Sequence, residues 1–268
     1  MKSNSNWSVS LLVFAMVVFV GLGCNMGKYF RSANTSESGP ADNKPGGPPG
    51  AISGECNNPY YPVAQGMTRK YHVKYPNGMV SDRDYTESFS DFSGDTFTVN
   101  SDFQTVAAHI RWKCTADGLL ATQFNNSIDL KDTGRSVTVE TVDSKGVTFP
   151  KADKWQSGGK WSAEYHILET IRIADGKPSI SAAGTVQQDS EVFGTEEITV
   201  PAGTFQAVKA KITSHLKLDM TTPGGGSHPI ETSIETTVWM VRDTGMVRSV
   251  TGIGQGGDVT TELTSVSK

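Results

Sequence analysis

The chain has 268 residues, of which 36% are hydrophobic and 19% charged, with a formal net charge of -4. That apolar content is too high for a chain disordered throughout, and the acidic balance excludes the basic stripe of a nucleic-acid binder. Five His and three Cys leave little material for a metal site, and no cofactor motif is expected.

The N-terminus reads as an address. Residues 11–23, LLVFAMVVFVGLG, are an unbroken run of apolar or Gly residues. The run has the length of a signal-peptide core and falls short of the roughly 20 residues a membrane span needs. It stops at Cys24, after Gly21-Leu22-Gly23. This resembles the lipobox of bacterial lipoproteins, in which a small residue precedes the Cys that is lipidated and becomes the mature N-terminus. Gly21 stands where lipoboxes usually carry Leu. The expectation is a signal peptide over 1–23 and a lipid anchor at Cys24. Soluble secretion and an uncleaved anchor are the alternatives. Losing 1–23 removes Lys2 and no acid, so the mature charge is -5. Attachment to a membrane then rests on acyl chains rather than on charge. The expected location is the outer membrane where the cell has one, and otherwise the outer face of the cytoplasmic membrane. Asn25 is not the Asp associated with inner-membrane retention.

Residues 24–55 read as a lipid-anchored tether. From 25 to 55 there are 6 Gly, 4 Pro and 4 Ser in 31 residues, with few apolar side chains to offset the cost of ordering them. A flexible coil of that length spans roughly 30 Å. With Cys24 assigned to lipid, Cys56 and Cys114 remain as an even pair in an oxidising compartment. A bridge between them closes a loop of about 58 residues, worth up to about 4 kcal/mol by chain entropy. Two separate thiols are the alternative.

Residues 56–268 read as one β domain. In order along the chain, Tyr71, Val73 and Tyr75 alternate with polar residues. The same parity holds for Val106, Ala108, Ile110, Trp112 and Cys114, and for Ala163, Tyr165, Ile167, Ile171 and Ile173. The longest alternation runs from Val208 to Met220. Period-two patterns of this kind predict strands with one buried face. Shorter candidates lie at 84–90, 95–100, 118–124, 136–142, 196–200, 232–241, 246–251 and 258–265. Turn signals separate them: Pro76-Asn77-Gly78, Ser93-Gly94-Asp95, Asp132-Thr133-Gly134, Gly158-Gly159, Asp175 to Pro178 and Asp243-Thr244-Gly245. Residues 223–229, PGGGSHP, read as an exposed hairpin loop. No amphipathic helix longer than two turns is evident. The expected fold is a single antiparallel domain, all-β, with a strongly curved sheet or open barrel; a β-sandwich is the alternative.

The run Val200-Pro201-Ala202-Gly203-Thr204-Phe205 resembles the VPAGTF signature of the DUF3108/TapB-like family of envelope lipoproteins. Tyr61-Pro62-Val63 with Gly66 and Tyr71 is similar to the family's first strand, and Trp239 with Gly245-Met246-Val247-Arg248 to its closing hairpin. At Met67-Thr68-Arg69 the chain departs from relatives that carry a Trp. The resemblance implies a mostly antiparallel β domain, akin to the curved half-barrel of lipoprotein carriers, and no reaction. Pro201 cannot donate to a ladder and Gly203 supplies an unusual backbone angle. Pro201, Gly203 and Phe205 therefore read as a structural corner between two strands.

No catalytic residue is assigned. There is no G-x-S-x-G elbow and no phosphate loop. His72, His109, His166, His215 and His228 stand singly, without metal-ligand spacing. The acid pairs Asp82/Asp84, Asp129/Asp132 and Glu196/Glu197 read as solvated surface, and Asp91 to Asp95 only faintly resembles a calcium loop. Trp155 and Trp161 flank a turn-like segment, either as a stacking surface or as packing. The expected function is a non-catalytic envelope lipoprotein whose β domain binds a lipid, a glycan or an envelope protein. The alternatives are a glycan hydrolase using acids from distant strands, and a structural or assembly lipoprotein.

Overall fold

Alternation along the chain becomes one curved antiparallel sheet. The computed structural model describes residues 56–76, 82–103, 107–124, 128–130, 135–173, 177–221 and 226–267. The signal peptide, Cys24, the tether and the turn residues Asn77-Gly78, Asp132 to Gly134, Asp175-Gly176 and Pro223 to Gly225 lie outside the described residues. The strands are Thr68–Lys74 (β1), Arg83–Ser93 (β2), Thr96–Asp102 (β3), Ala107–Thr115 (β4), Gly118–Ala121 (β5), Ile128–Leu130 (β6), Arg135–Gly146 (β7), Phe149–Pro150 (β8), Lys160–Ile173 (β9), Lys177–Val200 (β10), Gly203–Thr221 (β11), Ser227–Val241 (β12), Gly245–Gly252 (β13) and Asp258–Ser267 (β14). Among the described residues there is no α-helix.

The sheet order is β6-β7-β9-β10-β11-β12-β13-β14-β1-β2-β3-β4-β5-β8. No ladder closes it into a barrel, but its two sides meet at one end. There Val147 N–H donates to Ser162 C=O at 2.9 Å, and Thr148 N–H donates to Leu119 C=O at 2.8 Å. One stretch of chain thus leaves β9 and joins β5.

The inward residues form three apolar clusters. The first is aromatic, built around Tyr61, Phe89, Phe97, Trp112 and Trp155. The second is mainly aliphatic, with Val186, Leu216, Leu218, Met220, Ile230 and Ile234. The third joins Tyr71, Val73, Tyr85 and Leu263 to Ile198, Val200 and Ala207. The opposite face carries cross-strand ion pairs, including Lys74–Glu262 at 2.8 Å, Lys145–Glu164 at 2.7 Å, Lys160–Glu191 at 3.2 Å and Lys211–Glu235 at 3.1 Å. Each such exposed pair contributes little to stability. Together they give this face paired charges, whereas the outward face of a membrane barrel carries an apolar band.

Two sequence expectations change. Strand β10 begins at Lys177, not at 196, and is the longest in the molecule. Strand β12 begins at Ser227, so Ser227 to Pro229 of the expected PGGGSHP loop are strand, with Pro229 opposite Asp219. Proline is tolerated there because β13 pairs only with Thr236 to Val241, leaving the start of β12 with a partner on one side alone.

Candidate functional site

The sequence-derived site residues fall into separate places. Cys24 lies outside the described residues. Cys56 and Cys114 are joined in a disulfide, both buried. Pro201 and Ala202 form the turn between β10 and β11, and Gly203 has φ +139, a region β-carbon-bearing residues avoid. Ala202 N–H donates to Leu263 C=O at 3.0 Å, so this corner docks on β14. Phe205 packs against the third cluster beside it.

The tryptophan pair is packing. Trp155 is buried and its Nε1 donates to Pro150 C=O at 3.1 Å; Trp161 Nε1 donates to Thr148 C=O at 3.1 Å. Their rings lie 4.9 Å apart. The histidines pair locally on the polar face. His72 Nδ1 meets Asp84 at 2.7 Å and its Nε2 lies 3.8 Å from Asp82. His109 bonds Asn100 at 2.6 Å, and His215 bonds Ser233 at 2.8 Å. His166 lies 3.7 Å from both Asp143 and Glu164. Among the described residues no cluster of His, Cys, Asp or Glu has metal-binding geometry.

Three features escaped the sequence reading. The first is the buried pair Arg69–Glu87, with Nη1 to Oε1 at 2.5 Å. Arg69 Nε also donates to Thr244 C=O at 2.9 Å, and Nη2 donates to Pro62 C=O. Its guanidinium lies 5.2 Å from the Tyr61 ring centre and 5.0 Å from that of Phe89. Tyr61 OH donates to the other oxygen of Glu87 at 3.3 Å. Arg69 thereby ties the leading segment, residues 56–62, to the turn between β12 and β13. Two more bonds hold the leading segment, one to the same turn and one to β8. Asp243 N–H donates to Pro59 C=O at 2.7 Å, and Asn58 Nδ2 donates to Pro150 C=O at 2.9 Å. Desolvation pushes the Tyr61 and Tyr71 hydroxyls far above the usual phenol range, so both stay neutral donors.

The second feature is Glu169, inward between Ala182 of β10 and Val139 of β7. It is buried with no hydrogen-bond or ion-pair partner among the described residues. Desolvation raises its pKa to about 7. A glycan hydrolase needs a second carboxylate across a cleft; the residues opposite Glu169 in the sheet are apolar.

The third feature lies where β10 bulges. Val192 opposes Ala210 and Gly194 opposes Lys209, so Phe193 is the extra residue. Bulges re-aim side chains, and Phe193 is 54% exposed. Its backbone is held firmly. Ser157 Oγ donates to Phe193 C=O at 3.2 Å, Gly158 N–H to Val192 C=O at 2.8 Å, and Val192 N–H to Gly159 C=O at 2.9 Å. A groove of about 410 Å³ adjoins it, lined by Phe193, Gly194, Thr195, Glu196 and Lys209. Glu196 is fixed in turn. Trp239 Nε1 donates to its Oε1 at 2.6 Å, and Lys209 Nζ lies 3.3 Å from the same oxygen. The indole bond, with Lys209, holds the Glu196 carboxyl below its usual range, so it is ionised. Lys209 and Arg248 both lie over the Trp239 ring, at 5.3 and 5.2 Å from its centre. An aromatic anchor on a braced bulge, with an acid and a cation at fixed positions beside it, has the parts of a protein-recognition hot spot.

The family model of description DUF3108-like matches residues 92–251, more than half of the chain. The chain belongs to the DUF3108-like family. Among curated proteins none matches it. Solved structures similar to this DUF3108-like chain include a candidate exported protein of YmcC-like fold from Bacteroides fragilis. It is 12% identical, with 78% of this chain and 98% of that one covered, at a TM-score of 0.42. A candidate lipoprotein from Parabacteroides distasonis is 16% identical over 78% and 99% of the two chains, at 0.41. The hypothetical lipoprotein YmcC of Escherichia coli is 9% identical over 75% and 85%, at 0.36.

Proposed function

We propose that this DUF3108-like protein is an exported envelope lipoprotein, held at a membrane through Cys24, whose β domain acts by binding an envelope protein rather than by catalysis. The apolar run ending at Cys24 supports the anchor. The ion pairs on the outward face support a domain that stands in water beside the membrane, not within it. Phe193 carries the binding part of the reading: an exposed aromatic residue is displayed on a backbone braced from both sides, next to a groove with a fixed carboxylate. Tyr, Trp and Phe anchors of this kind dominate interface energetics.

The test is photo-crosslinking in living cells, with the probe placed at Phe193 and, as a control, at Val142, which is 69% exposed. The expected result is a discrete protein adduct from position 193 alone, lost when Lys209 is changed to Glu. Identical adduct patterns from both positions, or none from either, would refute the partner reading. The anchor is checked separately by metabolic labelling with an alkyne fatty acid, which should mark the wild type and not Cys24→Ala.

A further inference from the structure

Directly opposed residues in an antiparallel pair share one face of the sheet. The register therefore places seven small polar side chains together on the inward face: Gln188 and Ser190 of β10, Ser214 of β11, Thr236 of β12, Ser249 and Thr251 of β13, and Thr261 of β14. Gln188 opposes Ser214. Ser190 opposes Ile212, which opposes Thr236, which opposes Thr251. Ser249 opposes Thr261. Ser190, Ser214, Ser249, Thr251 and Thr261 are all buried.

None of the seven belongs to an apolar cluster; they sit where the three clusters meet. Val238 of the first opposes Ser249, Ile234 of the second opposes Ser214, and Val73 of the third opposes Thr261. Four of the side chains satisfy one another. Gln188 Nε2 donates to Ser214 Oγ at 3.1 Å, and the Thr236 and Thr251 hydroxyls lie 3.0 Å apart. Ser190, Ser249 and Thr261 have no side-chain hydrogen bond among the described residues. None of these three oxygens is among the fully enclosed side-chain atoms left without a hydrogen-bond partner, which are Tyr85 Oη, Trp112 Nε1 and Arg248 Nε; hydroxyls that keep some open space before them suit an occupant that both donates and accepts.

Among the described residues no charged side chain stands in this layer. The nearest inward charges along the same faces are Arg69, which is taken up by Glu87, and Glu169, three inward steps along β10 from Gln188 through its partner Ala182. A charged ligand would lose its hydration without a counter-charge. We propose that this layer is an internal binding site for an uncharged hydroxyl-bearing group, a sugar or polyol that is either free or the head of a neutral lipid. The site is separate from the Phe193 surface.

The test is native mass spectrometry of the full chain in a zwitterionic detergent, after incubation with glucose, with glycerol, with monoolein, or with oleate. A one-to-one adduct with glucose or glycerol supports the free source, and one with monoolein alone supports the lipid source. In either case oleate binds at least ten-fold more weakly, and Ser249→Ala with Thr261→Val lowers the adduct at least ten-fold. An adduct from neither neutral class, or one that survives the double substitution, overturns the proposal and leaves a hydrated layer only. Thr261→Val keeps the side chain's shape, and a melting curve confirms that the variant folds. Ser190→Ala is the substitute if the double variant fails that check. None of these probes reports on crosslinking at Phe193, so either reading can fail alone.

Discussion

At the end where the chain enters the sheet, burial is aromatic and cross-braced. Tyr61 stacks on Phe149 at 4.5 Å and on Trp112 at 5.3 Å, Tyr60 stacks on Trp155 at 5.0 Å, and a disulfide and a buried ion pair hold the same segment. At the far end, burial is aliphatic along β9 to β12, and its one inward carboxyl, Glu169, has no partner among the described residues. Both ends bury an acid. Glu87 meets a guanidinium and a phenol, whereas Glu169 meets Ala182 and Val139. The difference teaches that an inward charge can be structural glue or a standing liability, and only its partners decide which.

Removing one partner at the aromatic end gives the largest effect. Arg69→Met leaves Glu87 buried and unpaired, and should cost about 3–5 kcal/mol in denaturant unfolding. Changing both residues, Arg69→Met with Glu87→Leu, should recover part of that loss. If the single variant costs under about 1 kcal/mol, the clasp is not what holds this end. Next is the disulfide: Cys56→Ala with Cys114→Ala should cost about 2–4 kcal/mol. Hydrogen exchange should show the loss concentrated in the leading segment and β4, with β9 to β12 little changed.

The aliphatic end should respond to pH instead. Glu169 has its pKa raised from 4.5 to about 7 by burial, so the folded state binds the proton more tightly than the unfolded state does. Stability therefore falls as pH rises from 4.5 to about 7, by about 3 kcal/mol from this group, and levels off above. Glu169→Gln should lack that component, and parallel urea titrations of the two proteins at pH 5 and pH 8 measure it. The smallest effect is expected at Phe193. Its change to Ser should alter stability by no more than about 0.5 kcal/mol, since it lies outside both ends' packing, while abolishing the adduct at that surface.

Much of this contrast was legible in the sequence, but not its decisive residues. Parity along Val208 to Met220 and Val106 to Cys114 gave strands that the sheet contains. Parity also places Arg69 between Met67 and Tyr71, Glu87 between Tyr85 and Phe89, and Glu169 after Ile167, all at inward positions. A charge on the apolar beat of two neighbouring strands, with opposite signs, was the available signal for the clasp. Strand β10 was hidden for a related reason. Its inward positions include Ala182, Gly184, Gln188 and Ser190, so the apolar beat fades where the polar layer crosses the interior. The Phe193 bulge had no signal at all, since a bulge shifts parity by one residue and only the register against β11 reveals it.

The position of the disulfide has a mechanical consequence. A pull arriving at Cys56 from the N-terminal side does not have to peel β1 from the sheet edge by edge. The covalent link passes the load directly to Cys114 in β4, which is flanked by β3 and β5. The residues between the two cysteines, 57 to 113, which contain β1, β2 and β3, are shielded from the tension. The link works as a strain relief, like the clamp on a cable that spares the solder joint behind it.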